Sequence, residues 1–172
     1  MEMTGLDVNN EVIIEVASII TDLKLKPLAQ YEAVINQPIE FLNKMDEWNK
    51  THHTQSGLID KIHLGKPQNQ VESELILFVS HHFDLSDSNN KPILAGNSIA
   101  QDRGFINYHM KEFSKILHYR MFDVSSWKII FENVYNKKFY KNKNHRAIDD
   151  ILESIAEFKY YQSFIGLNNL NN

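Results

Sequence analysis

His145, Asp149 and Asp150 stand together in the stretch Asn144-His145-Arg146-Ala147-Ile148-Asp149-Asp150. A neutral imidazole, with an unperturbed pKa of ~6.5, can take a proton near neutral pH. Carboxylates offer the oxygen ligands that hard divalent cations such as magnesium require. Two other acids stand beside predicted strand ends or helix starts, Glu2 and Asp102. Ligands in α/β folds collect at such places, because loops and helix termini converge there. Two divalent ions ~3.5–4 Å apart could activate a water and stabilise the leaving oxygen in phosphodiester hydrolysis. His145 could take the proton from that water if it lies in a loop with Asp150 on the first helical turn. The plainer alternative is a helix start whose Asp149 and Asp150 favour the positive end of its dipole.

The elements that must position these groups follow from hydrophobic spacing. Ile148, Ile151, Leu152 and Ile155 repeat at helical intervals and predict a final helix from about Arg146 to Gln162, anchored on a core. At ~100° per residue Asp150 falls roughly opposite the centre of that stripe, facing solvent or a cleft, and Asp149 points elsewhere. The β-branched run Val12 to Thr21 predicts an internal strand. A turn containing Pro27 follows, then an antiparallel strand over Tyr31 to Asn36. Helices are predicted over 39–49, 70–83, from the Gly96–Asp102 stretch to about Leu117, and over 125–135, and short strands over 92–95 and 119–124. Thr51 to Gly57 reads as a polar break and Asp84 to Lys91 as a loop. Antiparallel strands followed by strand–helix alternation predict an α/β fold with a mixed sheet flanked by helices, in a single domain spanning 1–172.

Composition narrows the partners. The 172 residues are 42% hydrophobic, which suits a globular chain with a core of useful size. Cysteine is absent, so thiolate and disulfide chemistry are excluded and a reducing compartment fits best. No run approaches the ~18 apolar residues of a membrane span. The start Met-Glu-Met-Thr-Gly-Leu-Asp is not that of a signal peptide, so a cytoplasmic protein is expected. The net charge of −4, from 18 basic and 22 acidic residues, argues against a long nucleic acid bound through counterion release. It leaves room for a small anionic substrate held through metal ions.

Three motifs, Met1-Glu2-Met3-Thr4-Gly5-Leu6-Asp7, Gly96-Asn97-Ser98-Ile99-Ala100-Gln101-Asp102-Arg103 and His145-Arg146-Ala147-Ile148-Asp149-Asp150, resemble the exonuclease motifs of the oligoribonuclease family. Met45-Asp46-Glu47-Trp48-Asn49, Thr54-Gln55-Ser56-Gly57-Leu58 and His118-Tyr119-Arg120 resemble the family between them. The resemblance covers nearly the whole chain in order. It implies a ribonuclease H-like, mixed five-stranded sheet and metal-dependent 3′-to-5′ cleavage of very short RNAs, dinucleotides in particular, with two cations, Mg2+ or Mn2+. It assigns Glu2, Asp102 and Asp150 as metal ligands and His145 as general base. Leu6 matches a wedge between the substrate's bases, Trp48 and His52 positions lining the base pocket, and Ser98 and Gln101 positions near the 5′ phosphate. His118, Tyr119 and Arg120 match a phosphate cap reached from a second subunit, which implies a homodimer.

The family's first acid would stand two residues before Glu2, ahead of Met1, on a strand largely missing here. A chain that truly began at Met1 would lack a shared ligand and would be inactive, poorly folded or differently assembled. Two other functions compete: a related exonuclease trimming longer RNA or DNA ends, and a non-catalytic dinucleotide-binding module. Several residues also have plain readings. Trp48 suits a core at helical spacing, exposed Leu6 and Glu2 need no explanation, and Asp102 can stabilise its own helix start. His82 fits the apolar face of its helix and is expected in the core. The pairs His52-His53 and His81-His82 are poor zinc sites, because neighbouring side chains diverge. The lysines at 137, 138, 141 and 143 read as a solvated loop.

Overall fold

The β-branched run forms β2 (Ile13–Thr21), the strand on which both halves of the core are built. Ile13, Ile14, Val16 and Ile20 are buried, so its first half is covered on both faces. Ile13 joins a core with Val71, Leu75, Phe105, Ile106 and Met110, whereas Ile14 joins Met45, Leu58 and Ile62. Successive strand residues point to opposite faces, so one strand serves two clusters. The computed structural model describes residues 1–87, 90–140 and 146–165; His145, Lys141 and Lys143 lie outside them.

Along the chain come β1 (Glu2–Met3), β2, β3 (Pro27–Val34), α1 (Ile39–Lys44), α2 (Glu47–Gln55), α3 (Ile59–Ile62) and α4 (Gln68–Ser80). Then follow β4 (Leu94–Gly96), α5 (Ile99–His109), α6 (Lys111–Ile116), β5 (Met121–Asp123), α7 (Val124–Asn133) and α8 (Ala147–Gln162). The fold is mixed α/β with flanking helices, as expected. The five described strands form two sheets rather than one: an antiparallel β1-β2-β3 sheet and a parallel β4-β5 pair. The reason is the brevity of β1, whose two residues pair with β2 and leave no ladder toward β4.

Several boundaries differ from the periodicity. The helix predicted over 39–49 breaks at Met45, whose backbone is extended; Asp46 then caps α2 by accepting from the Asn49 N–H at 2.8 Å. Helix α2 runs through the predicted polar break. The helix predicted to run to about Leu117 breaks at buried Met110, and β3 starts at Pro27, a position a sheet edge tolerates. His82 is exposed, its ring edge against Phe78, because α4 ends at Ser80 and its periodicity with it. In α8 the fully buried residues are Ala147, Glu157 and Tyr161, while Ile148, Ile151 and Ile155 are half-buried and Leu152 is exposed. Glu157 is tolerated there because it accepts from the Tyr161 hydroxyl (2.9 Å) and the Asn97 amide (2.9 Å).

Candidate active site

Glu2 enters the site on β1, with only 15% of its side chain exposed. Burial pushes its carboxyl up to about 7; the Met1 amino group pulls against this, and the charges of Asp150, Glu15 and Asp102 reinforce it. Asp102 meets the Met1 amino group at 2.9 Å, and the same amino group feels the charges of Glu2 and Asp150. Three acids separated widely in sequence therefore share one electrostatic neighbourhood. His145 falls outside the described residues.

Asp102 and Asp150 arrive in the same way, each as the fourth residue of its helix, α5 and α8. Neither helix receives a cap bond from the side chain preceding it. Other elements supply acceptors instead. At α5, the Ser98 N–H donates to Asp123 Oδ1 (3.0 Å) and Ser125 Oγ (2.9 Å). Ser98 is held in the left-handed region at φ 50°, a conformation that costs a non-glycine residue roughly 1–2 kcal/mol. At α8, the Ala147 N–H donates to Glu15 Oε2 (3.2 Å), while Arg146 donates through Nε (3.2 Å) and a terminal nitrogen (2.6 Å) to Glu15 Oε1. These bonds hold the Arg146 guanidinium above its usual pKa.

The residues matched to substrate binding divide into two groups. Leu6 is 73% exposed on the turn after β1, and its carbonyl accepts from Gln101 Nε2 at 2.6 Å, so turn and α5 are tied together. That turn is organised by Asp7, whose carboxylate accepts from the Asn9 N–H and the Asn10 amide. Trp48, 69% exposed, stacks on His52 with ring centroids 4.8 Å apart. Ser98 is exposed at the start of α5. His118, Tyr119 and Arg120 precede β5: Tyr119 stacks on His118, and the Arg120 guanidinium lies 5.3 Å from the Tyr119 ring centroid. Hydrogen bonds tie this tripeptide to Pro92 and Arg103.

The donor chemistry suits a hard cation: three carboxylates, one of them made reluctant to ionise by burial and by like charge, gain from a divalent counter-ion. Among the described residues no three His, Asp or Glu groups close into a ready-made metal cage. The acids offer oxygen ligands, and the remaining positions suit water or substrate phosphate.

Two residues at this site were not singled out by the sequence. His53 is buried, its Nε2 bonded to the Met3 carbonyl (3.0 Å) and its Nδ1 3.9 Å from Glu2 Oε2, beyond hydrogen-bond reach. Burial lowers its pKa. Spacing held a clue: Trp48 and His52 share one face at i,i+4, so His53, turned by ~100°, faces inward once Trp48 faces out. The other is Glu15, a carboxylate in the middle of an apolar strand and therefore a residue that needs a partner.

Comparison with known proteins is consistent across the chain. The exonuclease (RNase T) family pattern matches residues 1–158. An oligoribonuclease of Acinetobacter baylyi is 40% identical over 174 residues, covering 98% of this chain and 93% of that protein. Those of Ralstonia nicotianae and Shewanella putrefaciens are 43% and 38% identical, covering 96% and 95% of this chain and 76% and 91% of their own lengths. The family pattern spans β2, α5 and the first turns of α8, and the family's fold is ribonuclease H-like. The chain belongs to the exonuclease family, in its oligoribonuclease group.

Proposed function

We propose that this chain is a 3′-to-5′ exoribonuclease that hydrolyses very short RNAs, dinucleotides above all, to mononucleotides. The observation that carries this reading is similarity to an oligoribonuclease over 98% of the chain, with the Asp102 carboxylate 2.9 Å from the amino group of the residue next to Glu2. When bound, two divalent cations, Mg2+ or Mn2+, would supply Lewis-acid stabilisation of the attacking and leaving oxygens. Glu2, Asp102 and Asp150 would hold them, and His145 would take the proton of the attacking water. The water oxygen bonds to phosphorus, the bond from phosphorus to the neighbouring nucleotide's 3′ oxygen breaks, and that oxygen gains a proton. The terminal nucleotide leaves as a 5′-monophosphate.

The exposed apolar side chains of Leu6 and Trp48 support binding of bases, since exposed aromatic and apolar groups favour stacked ligands. Leu6 acts as wedge, Trp48 and His52 line the base pocket, and Ser98 and Gln101 face the 5′ phosphate. Tyr119, 73% exposed beside Arg120, suits contact with another chain. His118, Tyr119 and Arg120 of one subunit cap the 5′ phosphate of the substrate bound to the other, so the working form is a homodimer of single-domain chains, 1–172, in the cytoplasm. A capped phosphate restricts length, and the net charge of −4 suits a short substrate better than a long polyanion.

The test is hydrolysis of a 5′-phosphorylated dinucleotide with Mg2+ or Mn2+ by a chain carrying the family's full first strand, compared with long single strands. Release of mononucleotides from the dinucleotide, with much slower attack on long strands, is expected. Equal rates on both replace this reading with trimming of longer ends. Binding without hydrolysis replaces it with a dinucleotide-binding module.

A further inference from the structure

Glu15 and Arg146 are joined across 131 positions of sequence, and the contact does more than neutralise a buried charge. Glu15 is buried in β2 with a side-chain exposure of 3%, so its carboxylate requires partners. One oxygen takes two bonds from the Arg146 guanidinium, and the other caps the first backbone N–H of α8. The first group serves as counter-ion and the second as a cap borrowed from a strand. Glu15 is also the Cα partner of Glu2 across the β1–β2 ladder. At the other end, the Asp150 N–H donates to the Arg146 carbonyl at 3.1 Å, so Asp150 rides on the turn that Arg146 begins. A short covalent and hydrogen-bonded path therefore runs from the strand bearing Glu2 to the turn bearing Asp150.

We propose that Glu15 and Arg146 are positioning residues that fix Asp150 relative to Glu2 for cation binding. The inference rests on the reading above that these two acids hold a cation. A guanidinium on a carboxylate fixes orientation as well as charge, which an ammonium does not. Lysine at 146 should thus keep the charge balance and lose the alignment.

The experiment uses the full chain with R146K, R146Q and E15Q. Y31F serves as a control, since it removes the Tyr31 hydroxyl bond to Glu74 (2.7 Å), which involves neither the three acids nor α8. Three quantities are read: amide exchange at residues 147–150, Mn2+ affinity by electron paramagnetic resonance, and kcat and KM on a 5′-phosphorylated dinucleotide. R146Q should speed exchange at the α8 start by about tenfold or more. It should also weaken Mn2+ binding by about 10–100-fold, the usual effect of losing a group that orients a metal ligand. A fall in kcat with little change in KM should accompany this, R146K should be intermediate, and Y31F should show none of it. Should E15Q fail to fold, the two Arg146 variants carry the test, because that side chain is 30% exposed.

The proposal is overturned if R146Q melts earlier but keeps its Mn2+ affinity and kcat, or if Y31F weakens Mn2+ binding as much. It is equally overturned if the wild-type chain binds no Mn2+, since Asp150 would then have nothing to be positioned for. A wild-type chain that binds Mn2+ but leaves the dinucleotide intact removes the exonuclease reading alone; Mn2+ affinity and exchange still decide the positioning role.

Discussion

The starts of α5 and α8 solve one problem with different materials. Each helix presents an acid at its fourth residue, and each takes its cap from another element. At α5 the cap is Asp123, which also accepts from the Ser125 N–H at 2.9 Å and so serves α7 as well. Those bonds lie near solvent, where water can replace a lost partner. At α8 the cap is Glu15, buried and ion-paired. Water cannot readily enter there, so a missing partner leaves a charge uncompensated. Two acids with similar placement should therefore tolerate damage to their supports very differently.

Removing the acids themselves should have the largest effect and should erase the difference. D102N and D150N are each expected to lower kcat on a dinucleotide by about 10³-fold or more, because a bound cation supplies several kcal/mol to the transition state. An effect of less than tenfold for either would show that its helix does not serve the reaction.

Damage to the supports should restore the contrast. R146A is expected to cost about 3 kcal/mol of stability, by stranding the buried Glu15 carboxylate. D123A should cost only about 1 kcal/mol, the usual worth of a helix cap. Chemical denaturation of the two variants side by side measures this; equal losses would mean that burial does not set the difference.

The smallest effect belongs to a polar contact away from both helix starts. Hydrogen bonds from Lys66, Gln70 and Tyr31 hold the Glu74 carboxyl down at about 2, below its ordinary 4.5. A lowered pKa means that the folded state favours the ionised form. Its contribution is present above the unfolded value and disappears as pH falls from about 4.5 toward 2. Glu74 contacts solvent, so E74Q should flatten the acid limb of the stability profile only slightly. A large change in melting temperature at pH 7 would contradict this.

What the sequence disclosed followed how local the cause was. The β-branched run of β2, the loop after α4 and the extent of α8 depend on neighbours in sequence and were legible. The breaks at Met45 and Met110 were not, because both side chains are buried and tertiary packing overrides a periodicity that would otherwise continue. His82 was expected inside and lies outside because its helix stops two residues earlier. The shortness of the first strand was legible, but the division of the described strands into two sheets was not, since strand pairing depends on contacts distant in sequence. At the site, Glu2, Asp102 and Asp150 could be picked out by type and by resemblance. Glu15 and His53 required the fold, since the first answers to a residue far along the chain and the second to a strand on another layer.

The bond between Glu15 and Arg146 has a kinetic consequence. A contact spanning 131 residues closes a very long loop, and such closures come late because their entropy cost precedes any gain. The α8 start should dock after the folding barrier is crossed. R146Q should therefore quicken unfolding and leave refolding nearly unchanged, a difference that the two arms of a chevron plot separate. During synthesis the strand bearing Glu2 is made before the turn bearing Asp150. Glu2 and Asp150 would then come together only after the Asp150 turn has been made, so a chain lacking that turn should bind no Mn2+.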